Sequence, residues 1–152
     1  MLVNDWRWLL CYAVALGACG GSSSPTTPPA PVLSVGGTYA VAVALGQNSC
    51  GPVTVVTQPT SVSHAPGATR FTLVHGSNTF AGSVTTDGGF ATDPLALNDA
   101  GSVLSVVLQG RFSTTGLTAT VTVDVVPPAP APACRYLVQW TGTKQGAPNV
   151  IP

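Results

Sequence analysis

Hydrophobic and polar side chains alternate with a period of two between Gly37 and Thr141, and this alternation restricts the chain to a β-sheet fold. In residues 117–125 the odd positions hold Leu, Ala and three Val, and the even positions hold three Thr and one Asp. Successive side chains of a strand point to opposite faces of a sheet, so this segment is predicted to be a strand with one buried and one solvated face. Outside the first twenty residues no segment has the spacing of an amphipathic helix.

Turn-forming residues separate about eight such segments. Residues 87–89, Asp-Gly-Gly, are a strong hairpin signal because Asp and Gly tolerate positive φ, and residues 75–78, 98–101 and 114–116 have a similar composition. Short connections join antiparallel neighbours. We therefore predict an all-β domain, a small antiparallel up-and-down β-barrel of about eight strands, with a β-sandwich as the alternative.

The predicted inward face is rich in large apolar side chains. An eight-stranded barrel has an interior just wide enough to be filled by side chains or to hold one small ligand, and these residues favour filling. The expected inward residues are Tyr39, Val41, Val43, Val55, Phe71, Leu73, Phe80, Val84, Phe90, Leu104, Val106, Leu108, Phe112, Leu117, Val121, Val123, Tyr136, Val138 and Trp140.

The N-terminal segment is typical of an export signal. Arg7 precedes nine apolar residues at 8–16, which suit the core of a signal peptide and are too short to cross ~30 Å of hydrocarbon. Leu16-Gly17-Ala18-Cys19 follows, and it resembles the lipobox of bacterial lipoproteins. The resemblance implies removal of residues 1–18 and a diacylglycerol on Cys19, with further acylation such as palmitate at its amino group. An ordinary signal cleavage that leaves Cys19 as a thiol is the alternative.

The same resemblance predicts a location in the cell envelope. In lipoproteins of cells with two membranes, Asp directly after the lipidated Cys retains the protein at the inner membrane, whereas this chain has Gly20. The resemblance therefore points to the outer membrane in such a cell. Residues 20–31 are rich in Gly, Ser, Thr and Pro and are predicted to be a spacer that reaches roughly 37 Å when extended.

These segments define the expected organisation of the chain. The signal peptide occupies residues 1–18, and the lipidated cysteine with its linker occupies 19–34. The barrel domain occupies residues 35–142, and a tail occupies 143–152. The lipid anchor is expected to bind the membrane.

The cysteines indicate one disulfide bond. Cys11 leaves with the signal and Cys19 takes the lipid, so Cys50 and Cys134 remain in an oxidising compartment and are expected to pair. Cys50 follows the first predicted strand and Cys134 begins the last one. These strands are neighbours in an up-and-down barrel, so the bond would close the seam between them.

Charged residues are scarce and balanced. The chain has five Lys or Arg and five Asp or Glu, so its net charge is zero and no electrostatic footprint for nucleic acid is present. Asp87, Asp93 and Asp99 fit turns, and Asp124 lies on the polar face of a strand.

Motifs that carry chemistry are also absent from the sequence. It contains no P-loop, nucleophile elbow or His-Glu-x-x-His motif. No spacing of Ser, His and Asp residues singles out His64 or His75 as catalytic. We therefore predict no enzyme activity, no catalytic residue, no cofactor and no metal.

Three functions remain open from the sequence. The first is a membrane-anchored, non-catalytic β-domain with a structural or interaction role. The second follows from Gly37-Thr38-Tyr39 at the start of an eight-stranded meander, which resembles the Gly-x-Trp start of the calycins and implies an apolar ligand pocket near Tyr39 and Trp140. The third is a hydrolase that uses His64 or His75. The first is our expectation.

Overall fold

The structure is a computed structural model that describes residues 28–152, so the signal, the lipobox, Cys19 and most of the spacer lie outside the described residues. The described chain is all-β, as predicted. Its strands are β1 (Gly37–Asn48), β2 (Thr60–Ser63), β3 (Arg70–His75), β4 (Asn78–Val84), β5 (Gly89–Thr92), β6 (Leu95–Asp99), β7 (Ser102–Ser113), β8 (Gly116–Val126) and β9 (Cys134–Lys144). Among these residues the structure has no helix with the length and hydropathy needed to cross a bilayer.

The strands form a closed antiparallel barrel. Their order in the sheet is β5-β4-β3-β2-β1-β9-β8-β7-β6, and an additional pairing of β5 with β7 closes the ring. Eight strands therefore make up the wall, with β6 as an extra strand. This confirms the barrel and excludes the sandwich.

The extra strand arises because a bulge interrupts one strand of the wall. β5 and β6 lie one after the other along β7, where Phe90 pairs with Gly110 and Leu97 pairs with Leu104. Between them Thr92 Oγ1 accepts a hydrogen bond from the Leu108 amide at 2.9 Å. Pro94 has no amide hydrogen, so it cannot donate a hydrogen bond to the ladder. Only the β5 part also pairs with β4.

The disulfide joins the bend just after β1 to the start of β9, as the sequence predicts. Cys50 and Cys134 are bonded, with their Cα atoms 5.1 Å apart. The Ser49 amide donates to the Arg135 carbonyl oxygen at 2.9 Å, and the Arg135 amide donates to Ser49 Oγ at 2.9 Å. Covalent and hydrogen bonds thus hold the same end of the seam between β1 and β9.

The barrel has two different ends. We call the end at which β1 ends and β9 begins, beside the disulfide, the mouth end, and the opposite end the closed end. Ser34 forms a bridge with Val150 across the closed end. Asn149 is 4% exposed there, and its Nδ2 donates to the Ser113 carbonyl oxygen at 2.7 Å.

The packed region is longer than the expected barrel segment 35–142. Leu33, predicted to lie in the linker, is buried, and so is Asn149, predicted to lie in the tail, while Ile151 packs against the core. Every residue that the sequence predicted to face inward belongs to the core or packs against it. The strands of the closed barrel and the residues of its core lie within residues 28–152, which we call the barrel domain.

Candidate functional site

An aromatic cluster fills the half of the barrel next to the closed end, which we call the closed half. The Phe112 ring lies 4.6 Å from the Phe90 ring and 5.9 Å from the rings of Phe71 and Tyr39, measured between centroids. The Tyr39 hydroxyl lies 2.6 Å from the Val35 carbonyl oxygen and 2.8 Å from Asn149 Oδ1, and burial raises the pKa of Tyr39 to about 12. This half has the filled interior that the sequence predicts.

The other half, next to the mouth end, is the mouth half, and it contains a cavity of about 190 Å³. The expectation of a filled interior is wrong for this half, because valines occupy many of the inward positions where the closed half has aromatic rings. A Val side chain is smaller than a Phe side chain, so the same barrel circumference leaves space at its centre. The residues that line the cavity include Val43, Val106, Val121, Val123, Val138 and Trp140.

The bulge in the wall opens a gap beside the cavity. β4 pairs with β5 from Gly82 to Val84, and the Asp93 amide donates to the Ala81 carbonyl oxygen at 2.8 Å. Beyond that point β6 stays with β7, and in the part of the chain that the structure describes no ladder joins it to β4. Asn78, Phe80 and Leu97 line the cavity on the two sides of this gap.

Three polar side chains line the otherwise apolar cavity: His75, Asn78 and Tyr136. The His75 ring packs on Trp140 with centroids 4.3 Å apart, and its Nδ1 lies 2.7 Å from Thr60 Oγ1. Burial lowers the pKa of His75 below its ordinary value of 6.5. Burial also raises the pKa of Tyr136, and the charge of Asp99 adds to that rise.

The calycin resemblance placed a pocket near Tyr39 and Trp140, and the structure separates these two residues. Trp140 lines the cavity, whereas Tyr39 lies in the closed half with its hydroxyl bonded to Asn149. Asn78 and Tyr136 are not among the site residues predicted from the sequence. One signal was available for His75, because it has the same parity along β3 as the inward residues Phe71 and Leu73.

The two histidines lie at opposite ends of the barrel. His64 Nε2 lies 2.8 Å from the Ala68 carbonyl oxygen, and its Nδ1 accepts a hydrogen bond from the Val35 amide at 3.4 Å, at the closed end. His75 lies in the mouth half. Within residues 28–152 no group of three His, Cys, Asp or Glu side chains is close enough to hold a metal ion.

The charged side chains form ion pairs on the outer surface. Arg70 pairs with Asp93, Arg111 with Asp87, and Arg135 with Asp124, each at 2.6 Å. Hydrogen bonds from Thr85 and Arg111 lower the pKa of Asp87 to about 2. Exposed pairs of this kind contribute little to stability, and none of these six side chains lines the cavity.

The cavity in the mouth half, with its three polar groups, is therefore the candidate functional site. Comparisons with protein-family models, with curated proteins and with solved structures found no match for this chain.

Proposed function

We propose that this chain is a non-catalytic, lipid-anchored protein of the cell envelope whose barrel binds one small apolar ligand. The observation that supports the ligand most directly is the cavity of about 190 Å³ between Trp140 and the inward valines. Small-molecule sites are typically concave and mostly apolar, with a few polar groups that orient the ligand. The cavity has this composition.

The volume of the cavity limits the size of the ligand. An apolar protein cavity of about 150 Å³ is large enough to bind benzene. At about 190 Å³, this cavity accommodates a single substituted ring or a short aliphatic chain. A complete fatty acid or a sterol exceeds that volume.

The point at which the chain enters the barrel fits a tethered binding domain. Leu33 enters the barrel at the closed end, where its carbonyl oxygen accepts a hydrogen bond from the Gly67 amide at 2.7 Å. The spacer and a lipid on Cys19 would therefore leave from the end opposite the mouth. A spacer that reaches roughly 37 Å leaves the mouth accessible to molecules in solution. In a cell with two membranes, Gly20 favours the outer membrane as the site of attachment.

An interaction domain without a ligand is the second candidate. Val103 and Val126 are 48% and 57% exposed, and they face each other across β7 and β8 near the mouth. Exposed apolar side chains that lie together favour contact with another surface. The pair is small, so the cavity supports ligand binding more strongly than the pair supports docking.

Titration of the barrel domain with toluene tests the proposal. Trp140 is the sole tryptophan after residue 8, so its fluorescence reports directly on the cavity. Val43→Phe places a ring in the cavity and is expected to weaken toluene binding at least about tenfold. Val103→Phe is the matched control, because it makes the same change on the outer surface and should leave the affinity unchanged. Equal effects of the two substitutions, or no saturable change in the wild type, would overturn the proposal.

A further inference from the structure

The hydrogen bonds around Thr60 favour one of the two neutral forms of the His75 ring. Thr60 Oγ1 lies 3.2 Å from the Gln58 carbonyl oxygen and 2.7 Å from His75 Nδ1. A hydroxyl has one hydrogen, and a carbonyl oxygen can only accept. Both contacts are satisfied when Thr60 donates to Gln58 and His75 Nδ1–H donates to Thr60. This arrangement leaves Nε2 of the neutral ring with a lone pair, as a hydrogen-bond acceptor.

Nε2 of His75 is available to a ligand. None of the hydrogen bonds of the described residues involves this atom. Within residues 28–152 every fully buried side-chain nitrogen or oxygen has a hydrogen-bond partner, so an atom without a partner is at least partly exposed. Nε2 is therefore accessible, and His75 lines the cavity. The ring is held in place by its contact with Trp140 and by the bond to Thr60.

Asn78 adds a second polar group beside His75. The two residues pair directly across the β3–β4 hairpin, so their side chains lie on the same face with Cβ atoms about 4.5–5.5 Å apart. The Asn78 side chain lines the cavity, and its amide offers both donors and an acceptor, which no side-chain hydrogen bond within residues 28–152 uses. One ligand hydroxyl can donate to His75 Nε2 and accept from Asn78 Nδ2.

The lining also indicates the charge of the ligand. It includes no Lys, Arg, Asp or Glu side chain, so an anion or a cation in the cavity would lose its hydration without gaining a counter-charge. A carboxylate also has no hydrogen to donate to Nε2. Together these observations favour an uncharged ring with a hydroxyl group.

We infer that the ligand class is a neutral monocyclic alcohol of the size of phenol, with its ring among the valines and its hydroxyl on His75 Nε2 and Asn78. This inference rests on the proposed function, since it specifies what the same cavity binds. It predicts that hydrogen-bond donation, in addition to apolar contact, contributes to affinity.

The test compares phenol with toluene, which has a methyl group in place of the hydroxyl. The barrel domain and its His75→Phe variant are titrated with both compounds by calorimetry. Phe retains a ring beside Trp140 and removes Nε2. We expect the variant to bind phenol about three- to tenfold more weakly than the wild type, the effect of one lost hydrogen bond, while its toluene affinity changes less than twofold.

The outcomes separate this inference from the proposed function. If neither compound binds the wild type, both fail. If toluene binds and the variant weakens phenol and toluene equally, the cavity is a binding site but the hydroxyl assignment is wrong. NMR of the imidazole nitrogens provides a measurement that does not depend on the variant: an unprotonated Nε2 supports the assignment, and a protonated Nε2 in the neutral ring overturns it.

Discussion

Removal of the disulfide should destabilise the barrel strongly, because it increases the conformational entropy of the unfolded chain. Cys50 and Cys134 are separated by 84 residues, and closing a loop of that length removes about 4.5 kcal/mol of conformational entropy from the unfolded chain at 25 °C. The double substitution Cys50→Ala and Cys134→Ala should lower the free energy of unfolding by about that amount. Natural domains of this size have about 5–15 kcal/mol in total, so the variant is expected to be marginally stable.

The hydrogen bonds of the seam allow a test of whether the disulfide acts through the entropy of the unfolded chain. Ser49 and Arg135 remain bonded beside the missing bridge, so the folded barrel should stay closed. Equilibrium unfolding in urea is the assay, and the m-value should rise because the unfolded chain without the cross-link exposes more surface. Ser49→Ala is the comparison, with an expected loss of about 1 kcal/mol and no change in m-value. A loss below about 1 kcal/mol for the double variant, with an unchanged m-value, would refute the unfolded-state explanation.

Three further predictions concern the core, the histidine and the anchor. Phe112→Ala should destabilise the barrel domain by about 3–5 kcal/mol in denaturant unfolding, because Phe112 is 1% exposed at the centre of the aromatic cluster; a loss below 1 kcal/mol would contradict that packing. Because burial lowers the pKa of His75, the unfolded chain binds more protons below pH 6.5, so the free energy of unfolding should fall as the pH drops below that value. His75→Phe should reduce this pH dependence, and an identical dependence in the variant would show that His75 is not its source. Cys19→Ser in the full chain should move the protein from the membrane fraction to the soluble fraction, and continued membrane association would argue against the lipid anchor.

The alternation of side chains was sufficient to predict the strands, and the short connections between about eight strands favoured a barrel without excluding a sandwich. The segments around Leu117 and Tyr136 follow a strict period of two, and a residue in such a pattern has only two possible faces. Order along the chain then predicted that β1 and β9 are neighbours, which agrees with the Cys50–Cys134 bond that the number and positions of the cysteines predicted. Local patterns and chain order therefore contained most of the information about the wall.

The cavity and the two ends could not be predicted in this way. Whether an interior is filled depends on the volumes of side chains that different strands bring together, such as Val43, Val123 and Trp140 around the cavity, and the register of the strands decides which side chains meet. Asn149 becomes a buried cap because the chain folds back over the closed end, a contact between residues far apart in sequence. Neither the cavity nor the Asn149 cap produces a periodic pattern in the local sequence.

The most direct test of the account is an NMR measurement of where benzene binds to the barrel domain. Intermolecular contacts between benzene protons and the methyl groups of Val106 and Val123, together with the Trp140 ring, are the predicted result, with none to Phe112. Absence of binding, or contacts confined to the exposed methyl groups of Val103, would contradict a ligand cavity in the mouth half of the barrel.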